Sequence, residues 1–119
     1  MKLALVIKPN DLACTYGNIP NVPNESNAAA EVFHFVLDSG LSFDEFYWRI
    51  VDPINSLCGT LLDDGDVDYI ESEACVVLLD WAKGLLQEAE DRWLREWLLK
   101  LIEFATRAVD LGTGLVVEL

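Results

Sequence analysis

Between Pro9 and Ala82 the chain has a single basic side chain, Arg49, against fourteen acidic ones, so this stretch carries the whole net charge of −13. Such a balance repels nucleic-acid backbones and anionic lipid and speeds encounter with cationic partners, which argues against direct nucleic-acid binding and against a membrane-surface role. Histidine is almost as scarce. His34 sits alone between two phenylalanines in "VFHFV", where a packed or capping role outweighs a catalytic one. Cysteine is limited to Cys14, Cys58 and Cys75. An odd number without CxxC spacing supplies neither a disulfide framework nor paired zinc ligands, and it suits a reducing compartment. No run of eighteen apolar residues occurs, so no transmembrane helix is expected. The opening "MKLALVI" stops at Lys8-Pro9 without a cleavage pattern, which reads as a first strand rather than an export signal and places the chain in the cytoplasm.

Catalytic signatures are missing as well. There is no GxSxG, HExxH, P-loop or GxGxxG spacing, and neighbouring carboxylates such as Asp44 and Glu45 point in different directions on a helix. Cys75 lies inside an apolar run and Cys58 among leucines, positions of inert core thiols, although a Cys-His pairing with His34 stays open on sequence alone. No catalytic residue and no cofactor is assigned, and the chain is not read as an enzyme.

What is present is a hydrophobic fraction of 52% in 119 residues, enough for one core and one domain spanning 1–119. Leu3 to Ile7 reads as a strand. Pro9 to Asn27, rich in Asn and Pro, reads as a long loop of the kind that often carries function. Ser26 or Asn27 can cap a helix through "AAAEVFHFVLDSG", with Ala29, Val32, Phe33, Val36 and Leu37 on one stripe and Gly40 as its stop. "SFDE" from Ser42 has the spacing of a capping box and starts a second helix, which bends or ends at Asp52-Pro53; "PINSLCGTLL" follows as a short helix broken at Asp63-Asp64-Gly65. A central helix is expected from Asp68 to Glu90 and another from Trp93 to Leu111, the latter with Glu96–Lys100 and Glu103–Arg107 pairs on its outer face. "QEAEDR" between them reads as a corner or as continuous exposed helix. Gly112 ends the last helix, and "GLVVEL" forms a strand beside the first. The expected fold is α+β and mainly α: a bundle of four to five helices with a small sheet made by the N- and C-terminal strands. A four-helix bundle with frayed ends is the alternative.

The acidic charge is concentrated in "DDGDVDYIESE", where Asp63, Asp64, Asp66, Asp68, Glu71 and Glu73 occur with no basic residue among them. Helix initiation explains part of this, since acids in a first turn gain about 0.3 to 1 kcal/mol each from the helix dipole. It accounts for Asp66, Asp68 and Glu71 but not for six carboxylates that repel one another. An EF-hand register fails, because fixing Gly65 at its sixth position puts Thr60 and Leu62 at ligand sites. A looser cation site at Asp64, Asp66 and Asp68 is a third reading, and no metal site is assigned. The remaining reading is recognition of a basic partner. Tyr69 lies within the cluster, and Asp44, Glu45, Tyr47 and Trp48 supply a second mixture of acids and aromatics, so these eleven residues are the candidate partner-binding set. On this reading the carboxylates are dispensable to the fold, and reversing Asp66, Asp68 and Glu71 leaves the thermal midpoint unchanged or higher.

The acidic middle, the small single domain and the lack of a catalytic motif resemble the small bacterial immunity proteins that protect a cell from a secreted toxin. The likeness covers the chain in style, through "DDGDVDYIESEACVVLLDWAKGLL" and "LIEFATRAVDLGTGLVVEL". It implies a cytoplasmic protein that binds one basic toxin domain, often a nuclease, and blocks its active site or an essential surface. It transfers no individual residue. A phage-encoded acidic mimic of nucleic acid, an inhibitor of a host defence protein, a small enzyme or metal-dependent accessory domain, and an oligomer built on Trp48, Trp81, Trp93 and Trp97 are the competing readings.

Overall fold

A computed structural model of the chain describes residues 1–37 and 40–119. Four antiparallel strands, β1 (Lys2–Val6), β2 (Ala30–His34), β3 (Val67–Ile70) and β4 (Leu115–Glu118), form one sheet in the order β2-β1-β4-β3. Three helices lie on one face: α1 (43–58), α2 (Ser72–Glu88) and α3 (Arg92–Leu111). The architecture is α+β, as the sequence implies, but it is not a bundle of four to five helices. The expected pairing of the terminal strands is present, Leu3 opposite Val117 and Leu5 opposite Leu115, and it forms the centre of a larger sheet.

The two additional strands come from segments read as helix. The chain from Ala30 to His34 is β2, paired with β1 through Phe33 opposite Leu3 and Val32 opposite Ala4. Both of its faces meet other side chains, Phe33 and Phe35 those of the helical layer and Val32 those of the opposite face. A strand covered on both sides shows no polar alternation, and here it imitates a helical stripe. The expected helix also ran over Asp38 and Ser39, which lie outside the described residues. Likewise, Asp68 to Ile70 belongs to β3 rather than to the first turn of α2, which starts at Ser72.

The helical layer follows its local signals more closely. The Ser42 Oγ accepts the Glu45 backbone N–H at 3.1 Å, the bond expected of a capping box. Helix α1 then runs through Asp52-Pro53 without a break, with a π-helical turn at Tyr47–Val51, and ends at Gly59 with φ +69. Between α2 and α3 the chain makes a tight corner, closed by Arg95, whose guanidinium donates to the carbonyls of Leu86 and Ala89. On α3 the expected i,i+4 pairs give way to others: Lys100 meets Glu103, and Arg107 reaches across to Glu31 on β2.

Phe46, Ile50, Ile54, Leu78, Leu98, Leu101 and Phe104 pack on Leu3, Leu5, Leu115 and Val117 to make the main core. The long segment between β1 and β2 covers much of the other sheet face. Its Leu12, Val22 and Ala29 bury Ala4, Val6 and Val116 in a second, smaller core. Lys2 fastens this cover: only 6% exposed, its Nζ donates to the Val22 carbonyl at 2.6 Å and to Asn24 Oδ1 at 3.2 Å and pairs with Glu118 at 2.7 Å. Its charge is thus matched by a carboxylate and two dipoles, as burial of a cation demands.

Candidate functional site

The six carboxylates of 63–73 occupy the turn before β3, β3 itself and the start of α2, and the structure divides them by role. Asp66 Oδ2 accepts the Asp63 N–H at 3.0 Å, and Asp63 Oδ1 accepts the Asp64 N–H at 2.8 Å. Asp68 accepts from Leu61 N at 3.2 Å and from Tyr69 N at 2.8 Å. Short acidic side chains bond local backbone in this way wherever a turn leaves amides without ladder partners. The carboxylates of Asp64, Glu71 and Glu73 make no hydrogen bond among the described residues, and all three are exposed. Glu73 is the one acid in the first turn of α2, and Glu71 stands at its N-cap without a side-chain cap. The expectation that Asp66 and Asp68 serve that helix end is therefore corrected: they organise the turn and the edge strand.

None of the six is neutralised. The ion pairs among the described residues join Lys2 to Glu118, Arg49 to Glu45 and Asp91, Lys100 to Glu103, and Arg107 to Glu31. No three His, Cys, Asp or Glu side chains among the described residues converge into a group that holds a metal.

Of the aromatic candidates, Tyr47 and Trp48 lie on α1, whereas Tyr69 lines a hollow with Glu71 and Glu73. Trp48 is 66% exposed, and its ring stands edge-on to Tyr47 with centroids 5.2 Å apart. Phe43 adjoins Tyr47 at 6.3 Å. Asp44 and Glu45 are exposed beside them, but Glu45 faces Arg49, which is also held by Asp91 at the start of α3. The C-terminal end of α1 meets the start of α2, where the Cys58 thiol approaches the Ala74 carbonyl. Cys58 lies eleven helical steps beyond Tyr47, about 16 Å at the helical rise. Asp44, Glu45, Tyr47 and Trp48 thus form a second patch, set along α1 away from the end that meets the start of α2. Tyr69 is half-buried against the smaller core, with its ring over Gly114.

His34 is exposed on edge strand β2, opposite Lys2. Burial pushes the Cys58 thiol up to about 11 and the Cys75 thiol to about 12, so both stay protonated and unreactive near neutrality. Burial also raises the Tyr69 hydroxyl, helped by Cys75 and Glu71.

A concavity of about 460 Å³ lies beside the acidic turn, and sequence reasoning missed it. One wall is a tongue of the long segment, where the Thr15 N–H bonds the Ile19 carbonyl at 2.9 Å, the Ile19 N–H bonds Tyr16 O at 3.0 Å, and Gly17 takes φ +59. The tongue presents Tyr16, 69% exposed. Gly65 and Asp66 form the opposite wall, and Val67, Val116 and Glu118 line the floor. The only advance signal was that a loop of this length often carries function.

Comparison of the chain with protein-family models, with curated proteins and with solved structures gives no match.

Proposed function

We propose that this chain is an immunity-type inhibitor that acts in the bacterial cytoplasm by binding a cognate basic toxin through the face formed by residues 63–73. The observation that carries this reading is that Asp64, before β3, and Glu71 and Glu73, past its other end, stand exposed with neither a hydrogen bond nor an ion pair among the described residues, while Asp63, Asp66 and Asp68 are committed to the turn and the strand. Neighbouring like charges raise the free energy of the isolated protein, and a cationic surface relieves that repulsion on contact. The same field accelerates encounter, as suits an inhibitor that must meet its toxin before the toxin acts. Trp48 and Tyr47 offer a separate aromatic contact for a partner large enough to span both patches.

The test is capture from the native host followed by an inhibition assay. The tagged chain should retain a protein with a basic domain, and the purified chain should suppress that protein's toxicity. Asp64→Lys with Glu71→Lys should slow association at least tenfold while leaving the folded state intact. Asp66 and Asp68 are unsuitable for this purpose, because reversing them breaks the turn. Undiminished association by the double variant, or a captured protein whose activity the chain leaves untouched, defeats the proposal.

A further inference from the structure

We infer that the concavity between Tyr16 and Asp66 receives one arginine side chain of the basic partner. The inference rests on the reading of a basic protein partner and adds to it a defined pocket and a defined side chain. The floor is mixed in a way that suits arginine. Val67, half-buried above the buried Val116, offers apolar surface to a methylene stem, and two carboxylates flank it. Asp66 spends Oδ2 on the Asp63 N–H, and its Oδ1 has no partner among the described residues. Glu118 spends Oε2 on Lys2, and its Oε1 likewise has no partner there. Each carboxylate therefore keeps one acceptor, set on rigid backbone: the Asp66 carbonyl takes the Leu119 N–H at 2.9 Å, and Glu118 is the last residue of β4.

Charge complementarity selects a cation. Among the described residues no basic side chain lines the concavity, Lys2 is already held by Glu118, Val22 and Asn24, and Asp63 and Asp64, next in the chain to the Gly65–Asp66 wall, add negative charge nearby. Geometry selects guanidinium over ammonium. A planar fork can donate to two separated carboxylate oxygens at once and stack on an aromatic ring, whereas a compact ammonium makes a point contact and keeps its water more tightly. Tyr16 supplies that ring, held at the concavity by the hydrogen-bonded tongue.

Titration of the labelled protein with N-acetyl-arginine methylamide, followed by amide chemical shifts, tests the assignment. The neutral isostere N-acetyl-citrulline methylamide and the lysine analogue serve as the other two arms. Saturable shifts at Tyr16, Gly65, Asp66 and Val116 are expected with the arginine compound in the millimolar range, with citrulline and lysine each binding at least fivefold more weakly. Asp66→Asn keeps an oxygen for the Asp63 N–H but removes the charge, and Tyr16→Ala removes the ring; each should weaken arginine binding about fivefold or more. Equal response to citrulline, a lysine analogue that saturates as early, or no saturation overturns the assignment. Arginine shifts confined to Asp64, Glu71 and Glu73 also overturn the pocket, while leaving the acidic face as the partner's contact surface. Failure of toxin capture, by contrast, counts against the inhibitor reading even where arginine fills the pocket.

Discussion

A carboxylate that accepts two backbone N–H groups is part of the fold before it is part of any surface. Asp68 holds Leu61 and Tyr69 in this way, so Asp68→Ala should cost about 1–2 kcal/mol, the usual loss when a side chain stops bonding orphaned amides. Asp64→Ala, four residues earlier, should change stability by no more than about 0.5 kcal/mol, because its exposed carboxylate makes no hydrogen bond or ion pair among the described residues. Urea unfolding of the two variants side by side checks the division of labour within the cluster; equal losses would dissolve it. The buried thiols give a second residue-scale prediction. Folding raises Cys58 to about 11 and Cys75 to about 12 from an ordinary 9.0, so the folded state keeps protons that the unfolded chain releases. Their contribution is complete below 9.0 and is lost as pH climbs through 11 and 12. The thermal midpoint should therefore fall on the alkaline side, and Cys58→Ala with Cys75→Ala should make that fall shallower, whatever its starting stability. An unchanged slope in the double variant would remove the thiols as its cause.

At the scale of elements, the close approach of β3 to the start of β4 is the least forgiving contact. A Cβ added to Gly114 would sit 2.2 Å from the Ile70 carbonyl oxygen and 2.7 Å from Tyr69 Cζ. Neither atom can withdraw freely, since one is backbone and the other belongs to a ring packed on the smaller core. Gly114→Ala should thus lose at least the roughly 1–3 kcal/mol typical of overpacking, and exchange protection should fall first along β3. Denaturant unfolding with hydrogen exchange measures both, and wild-type stability in the variant would mean that the strands are not held this tightly. Tyr69, a candidate anchor by sequence, is occupied with this packing. The same strands show why the sequence was only partly legible. Ser42, Gly112 and the Trp93–Leu111 periodicity act through neighbours within one turn, and they mark real boundaries. In "AEVFHFV" the deciding information is what lies on each face, and it becomes visible only once β1 and the long loop are in place. The spacing of Val32, Phe33 and Val36 led to a helix, although β-branched and aromatic side chains fit a strand as well. At Asp66 and Asp68 the acid content suited a helix start, yet pairing of Val67 with Glu118 and of Ile70 with Leu115 sets the conformation.

For the molecule as a whole, the acidic excess was plain in the composition, but its arrangement was not. The concavity draws on 15–22, 65–67 and 116–118, three segments that only the sheet order brings together. The net charge of −13 then has a consequence that depends on no single site. Raising ionic strength from 0.01 to 0.15 M shortens the screening length from about 30 to about 8 Å, which weakens repulsion across the molecule while leaving contact pairs such as Lys2–Glu118 largely unaffected. The thermal midpoint should rise over that range of sodium chloride. Asp64→Lys with Glu71→Lys brings the charge from −13 to −9 and should start higher and gain less from salt. Binding of a basic partner should respond in the opposite sense, its association rate falling over the same salt range because the field that strains the free protein is the field that attracts the partner. A midpoint that falls with salt would mean that attraction among the paired charges outweighs the repulsion, and the exposed carboxylates would then need no partner to offset them.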